Sequence, residues 1–359
     1  MMPLSTMYGS NQMGELLSLT GLWEFKFLYS HPGMVCLCGR AISDNLRILL
    51  RDTKTLTSQS WQNFAGTLYD HMFAYNTFYA MYRSLLQPNA LEALFLLQSR
   101  FAGFLDDVQQ YNKEEAEYAD FLTAEGVLAR PSPLEPTYRM SSAFVDGFIR
   151  THVLPAKFRN CPSQAPPCDT KTMHVLEILT EALKYFDKDL IRLAANCSYK
   201  TPGRKIPGLN QVPRESVYDT ELMRILMNWV HHRNEWTVTG QWHQEIDQNR
   251  HKYSDIVLKN KDMVIVLELL ATGDPGFVSS RITKTPEYMS LLSAKEGWVV
   301  HFTCEQGYSP IWQSDAELQN GVNVVHFSHD PDFTRVGMDA RWKDHMGNVQ
   351  KSDGVGVQV

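Results

Sequence analysis

Residues 263–270 read Met-Val-Ile-Val-Leu-Glu-Leu-Leu, a run that is apolar on both sides of an extended chain apart from one carboxylate, Glu268. A two-sided apolar run of this length marks a central strand covered on both faces. A lone carboxylate there costs several kcal/mol unless it is paired or metal-bound. Glu268 is therefore the residue around which a function is sought.

Working outward, Tyr253 to Leu258 and Glu235 to His243 are also strand-like, the latter alternating Trp236, Val238 and Trp242 with polar residues. Upstream, Pro213 precedes a segment whose Tyr218, Leu222, Ile225 and Trp229 recur at helical spacing. The order is helix, strand, strand, strand. If residues 259–262 form the turn, Asp255 faces Val266 and Glu268 is its diagonal neighbour on the same face, with roots about 7–8 Å apart.

Two carboxylates aimed at one point suit Mg²⁺ or Mn²⁺, which are held by carboxylates, water and substrate phosphate. Such an ion polarises a phosphodiester and activates an attacking water. Glu221, about 60° off the centre of the helix stripe, is the expected third ligand. The bland alternative is that Glu268 pairs with Lys252, Arg224 or another cation. Gln241 and His243 alternate onto one face of the first strand, where they touch substrate or are satisfied edge groups. His301, His326 and His329 lack the spacing of a metal triad and read as core or rim histidines.

The chain has 359 residues, 43% hydrophobic and 21% charged, enough for two or three globular domains and too apolar for disorder. Its 34 Lys and Arg against 40 Asp and Glu give −6, so contact with DNA must come from a local patch. Six cysteines lack the density of a disulfide scaffold, and Cys36 and Cys38 are too close for a zinc knuckle. No run approaches the about 18 apolar residues needed to span a membrane. No export signal is visible, and no G-x-x-x-x-G-K-[ST] loop could cradle ATP phosphates, so no ATP binding by this chain alone is expected.

Residues 1–112 read as helical, with an aromatic stripe of Phe73, Tyr75, Phe78, Tyr79 and Tyr82 assigned to core. Residues 113–160 give helix, short strand, proline-rich turn, strand, helix, the order of a winged helix, with Arg130, Arg139 and Arg150 scattered rather than clustered. A helix and linkers fill 161–211, the chemistry-bearing unit spans 212–346, and 347–359 reads as a tail.

These residues carry a resemblance. A helix with a glutamate, Asp255 on one strand and Glu268-Leu269-Leu270 on the next resemble the PD-(D/E)XK nuclease core, in which an aspartate and an E-x-K pair hold the metal and orient water. The phrases VPRESVYDTELMRILMNW (212–229), VTGQWH (238–243), YSDIVL (253–258), VLELLATG (266–273), KTPEY (284–288), WVVHFT (298–303) and VNVVHFSHD (322–330) look like the C-terminal nuclease-like module of Crinkler-type effectors of fungi and oomycetes. Upstream, HPGMVCLCGR (31–40) resembles the start of an AAA-ATPase-like lid, and FLTAEGVLARP (121–131) with YRMSSAFVDGFI (138–149) its winged helix.

The resemblance implies an α+β, multidomain protein: an all-α lid plus winged helix, followed by an α/β mixed sheet flanked by helices. The ATPase core with its phosphate loop would lie before residue 1. It further implies hydrolysis of DNA with Mg²⁺ or Mn²⁺, a host or ATPase-domain partner, and delivery to a host nucleus. Leu270 stands in the place of the E-x-K lysine, leaving Lys284 or Arg281 as a migrated cation. Arg281 stands where the family has histidine, and Ser280 where it has an acid. The rival classes are a degenerate nuclease fold serving as a binding or signalling module, and a DNA-binding protein working through the winged helix alone.

Overall fold

The computed structural model describes residues 37, 40, 41, 43–46, 64, 67–110, 112–132, 134–197, 212–247, 250–305 and 307–359, without the side chains of 196–197 and 241–254. Most of the segment assigned to the lid's first part, including all of HPGMVCLCGR but Leu37 and Arg40, lies outside these residues, as does the linker 198–211.

The N-terminal unit begins with α1 (Leu68–Phe73), α2 (Asn76–Leu85) and α3 (Leu91–Leu96), the last continued by a π-type turn at Leu97–Phe101. Then come β1 (Val108–Gln109), α4 (Lys113–Ala124), β2 (Leu128–Ala129), β3 (Thr137–Met140) and α5 (Ala143–Phe148). A π-type turn, Ile149–Val153, joins α5 to α6 (Leu154–Lys157). The three short strands pair antiparallel in the order β1-β3-β2. Asn112 and Ser142 cap α4 and α5, accepting from the backbone of Glu114 and Val145, which fixes where each helix starts. Phe78, Phe101, Leu122, Tyr138 and Phe148 meet in one core.

The C-terminal unit contains α7 (Val175–Leu183), α8 (Lys188–Cys197) and α9 (Glu215–Trp229), followed by β4 (Thr237–Asp247), β5 (Arg250–Lys259) and β6 (Val264–Ala271). Next are α10 (Pro275–Leu292), β7 (Glu296–Thr303), α11 (Asp315–Gln319), β8 (Val322–His329), β9 (Val336–Lys343) and β10 (Val349–Val357). Among the described residues they form a seven-stranded mixed sheet, β10-β9-β8-β7-β6-β5-β4, in which β6, β7 and β8 run parallel and the other pairs antiparallel. Leu267, Leu269 and Val300 pack on the α7, α8 and α9 side, while Leu270, Val299 and Val324 pack on the α10 side. The two-sided apolar character of residues 263–270 is the direct trace of this three-layer arrangement.

Three expectations change. The β5–β6 turn uses residues 260–263, where Asn260 N–H donates to Met263 O (2.9 Å) and Asn260 Oδ1 accepts from Asp262 N (2.9 Å) and Met263 N (2.8 Å). Ile256 therefore pairs with Leu267, so Asp255 comes opposite Glu268 rather than Val266. A two-residue slip keeps every side chain on its face, so the shared face survives. The segment after Gly347, read as a tail, is instead edge strand β10, paired with β9. The helices of 161–211, read as connectors, bury Ile178, Leu183 and Ile191 in the same core as the sheet. Among the described residues no helix is long and apolar enough to cross a membrane.

Candidate functional site

Glu268 is fully buried on β6, and its Oε2 accepts from Arg281 Nη1 at 3.2 Å. Arg281 arrives from the second turn of α10, which the crossover between parallel β6 and β7 lays along that face. Arg281 also hydrogen-bonds the Tyr288 hydroxyl, its guanidinium lies 5.9 Å from the Phe277 ring, and its side chain is 21% exposed. The expected Glu268 partner Arg224 is occupied elsewhere, and the side chain of Lys252 lies outside the described residues.

Asp255 sits where the β5–β6 ladder ends at the Ile256–Leu267 pair. Its Oδ2 accepts the Leu269 N–H at 2.7 Å, taking a backbone donor past the last ladder pair. Burial and the Glu215 carboxylate push Asp255 up to about 7, opposed by Arg281, the Leu269 N–H and Arg150. The guanidinium of Arg281 in turn feels Asp255, Glu268 and Glu215 together, which keeps it charged despite its burial. These four side chains form one electrostatic unit.

The helix α9 contributes differently from the expectation. Glu215 and Asp219, one turn apart, share its site-facing side, whereas Glu221, two residues past Asp219, lies about 200° further round. Glu221 accepts from Arg224 Nε (3.0 Å), Arg224 Nη2 (2.8 Å) and Asp187 N–H (2.8 Å). Arg224 also donates to the carbonyls of Phe158 (3.1 Å), Asn160 (2.7 Å) and Tyr185 (2.9 Å). Glu221 is thus part of a buried clamp between loops and is not brought to the Asp255–Glu268 face; Glu215 is the α9 carboxylate whose charge reaches Asp255.

Asp219 leads to Arg150, which the sequence reading takes only as one of three scattered arginines, and to Asp146, which it passes over. Arg150, only 2% exposed on the π-type turn after α5, pairs with Asp219 and lies 3.8 Å from Asp146 Oδ2. Asp146 Oδ1 accepts from Gly103 N–H at 2.8 Å. Burial raises Asp146 and Asp219 above the usual carboxylate range, in Asp219 reinforced by Asp255. Among the described residues, Asp146 Oδ2 and Asp219 Oδ1 have no hydrogen-bond partner. The available signal was the Glu215–Asp219 pair at i, i+4, adjacent to the apolar stripe of the helix.

The remaining expected residues are placed as follows. Lys284 is solvent-exposed on α10, and among the described residues no ion pair or hydrogen bond joins it to Asp255 or Glu268. Gln241 and His243 lie in β4, opposite the chain around 253–255, but their side chains are outside the described residues. Leu270 is fully buried among Val278, Ile282 and Val299. His301 Nδ1 lies 3.1 Å from His326 Nδ1, and His326 Nε2 lies 2.9 Å from Ile311 O. His329 Nε2 lies 2.8 Å from the Tyr218 hydroxyl. Burial pushes His326 and His329 down to about 4, so both are neutral parts of the interior.

Chemically, the face presents two carboxylates, a third nearby and one guanidinium. Among the described residues no three His, Cys, Asp or Glu side chains gather at metal-ligating spacing. Asp255 and Glu268 still fit Mg²⁺ or Mn²⁺, which take one or two carboxylates and complete their shell with water and substrate phosphate. The negative charge that raises Asp255 is what a divalent ion would neutralise.

No protein-family model matches the chain, and no curated protein matches it. Among solved structures it is similar to Can2 from Sulfobacillus thermosulfidooxidans in complex with cyclic tetra-adenylate, with 10% identity and a TM-score of 0.20 over 72% of this chain. The chain spans 56% of that one. A likeness at that level carries no argument about fold or function.

Proposed function

We propose that the chain is a divalent-metal-dependent phosphodiesterase acting on DNA, with a PD-(D/E)XK-like core in a Crinkler-type architecture. The observation that supports it is the placement of Asp255 opposite Glu268 where the β5–β6 ladder opens, with Arg281 in the same charge cluster. Asp255 and Glu268 would hold Mg²⁺ or Mn²⁺. Bound there, the ion polarises a phosphodiester and lowers the pKa of the attacking water. Asp255 is aimed by the Leu269 N–H, Glu215 takes the assisting role first assigned to Glu221, and Arg281 steadies charge on the phosphate in place of the E-x-K lysine. Lys284 is left as a surface contact for the DNA backbone.

The order β1, α4, β2, β3, α5, with the three short strands paired in one sheet, supports the winged-helix reading, and the helices before it the lid. In this reading DNA is taken through a local patch, and an ATPase domain or host protein is the partner. Host delivery and a nuclear site of action follow from the Crinkler resemblance.

A second reading, a degenerate fold used as a binding module, is favoured by Leu270 and by the neutralising Arg281–Glu268 pair. The experiment that separates them is Mg²⁺- and Mn²⁺-dependent cleavage of plasmid and single-stranded DNA by the wild type, Asp255→Ala and Glu268→Ala. The nuclease reading expects cleavage by the wild type and a loss of at least about 100-fold in either variant. A folded wild type that neither cleaves nor takes up Mn²⁺ leaves the binding module.

A further inference from the structure

Arg281 stands in a position with two uses that exclude each other. Its guanidinium holds Glu268 Oε2 at 3.2 Å within a ring of negative charge from Asp255, Glu268 and Glu215. A guanidinium on Glu268 Oε2 disfavours entry of a divalent ion between these carboxylates, because the two cations repel and compete for that oxygen. The side chain has somewhere else to go: it is partly exposed, and its guanidinium lies 5.9 Å from the ring of Phe277, itself 44% exposed in the first turn of α10. A phosphodiester at that opening offers two oxygens to the planar fork of an arginine, a better acceptor pair than the single Glu268 oxygen it now holds.

We propose that Arg281 is an arginine switch that makes metal loading depend on nucleic acid: in the free protein it caps Glu268, and a substrate phosphate draws it away and frees that carboxylate for the ion. This rests on the metal-dependent reading above and adds an order to it. By linkage, the factor by which DNA strengthens metal binding equals the factor by which metal strengthens DNA binding. Tyr288, whose hydroxyl hydrogen-bonds Arg281, holds the switch in its capped position.

The test is a Mn²⁺ titration of the full chain, read by the electron paramagnetic resonance of free Mn²⁺, with and without a short single-stranded DNA carrying cleavage-resistant phosphorothioate linkages. In the wild type the DNA is expected to tighten Mn²⁺ binding about tenfold, a coupling of ordinary size. Arg281→Gln should bind Mn²⁺ about tenfold more tightly than the wild type without DNA, and gain clearly less than the wild type when DNA is added, only what the phosphate oxygens themselves give the ion. Tyr288→Phe, which leaves every carboxylate in place, should shift in the same direction by less. An Arg281→Gln protein that binds Mn²⁺ no tighter than the wild type, or that keeps the full DNA effect, overturns the switch while leaving the metal site standing. Absence of Mn²⁺ binding in folded wild type and Arg281→Gln alike, with DNA present, removes the metal reading itself.

Discussion

Two glutamates on one helix show how the same side chain is assigned opposite work by its neighbours. Glu221 accepts three hydrogen bonds and is paired with a buried arginine that ties down two loops. Removing one partner of such a pair leaves a buried, uncompensated charge, so Glu221→Ala is expected to cost about 3–5 kcal/mol. Glu215 is only partly buried and acts on Asp255 and Arg281 through space. Glu215→Gln is expected to change stability by about 1 kcal/mol or less while weakening Mn²⁺ uptake. Urea unfolding and a Mn²⁺ titration of the two variants check both statements, and equal destabilisation would refute the division of roles. Glu268 was legible because a carboxylate in a two-sided apolar run is conspicuous. Glu215 was not: helical spacing identifies the buried stripe but does not say which polar neighbour of that stripe meets another element.

At the scale of elements, strand identity and face were readable from period-two patterning, but register was not. The sequence reading places the β5–β6 turn at 259–262, and the Asn260 side chain, which accepts from Asp262 and Met263, helps set it at 260–263. The last strand was missed because Lys351, Ser352, Asp353 and Gly354 carry no apolar alternation; edge strands need none. Helix α10 matters most for function, since it carries Arg281. It begins abruptly after Thr272, whose φ is +42°, with Asp274 Oδ1 accepting the Phe277 N–H at 3.0 Å and Pro275 in the first turn. Asp274→Ala is expected to lower stability by about 1 kcal/mol, the usual cost of a lost cap. Amide exchange should quicken over residues 275–281 before it does so elsewhere, and uniform exchange across the chain would count against a local cap.

The whole molecule joins its two units through buried charge, and that shapes its response to pH. His231, His326 and His329 are pushed down to about 4 by burial, well below their unfolded value of about 6.5. Between those values the unfolded chain takes up protons that the native one refuses, so the stability associated with each histidine is lost as pH falls from about 6.5 toward 4, by up to about 1.4 kcal/mol per pH unit. Asp219 and Asp255 have the opposite sign. Burial holds both near 7, above the unfolded value of about 3.9, so the native state keeps protons the unfolded chain has shed and loses stability as pH rises from about 4 through 7. The two trends overlap and offset, giving a flatter acid limb than either set alone. Single variants should uncover them in urea unfolding at pH 5, 6, 7 and 8. His329→Gln loses the contact with Tyr218 at every pH, but its deficit against the wild type should shrink as pH falls below about 6.5. Asp219→Asn, which keeps a partner for Arg150, should show its deficit shrinking as pH rises toward 7. Parallel profiles for wild type and both variants would mean that these groups titrate alike in the folded and unfolded chains, and that the charge buried between the units does not set the pH dependence.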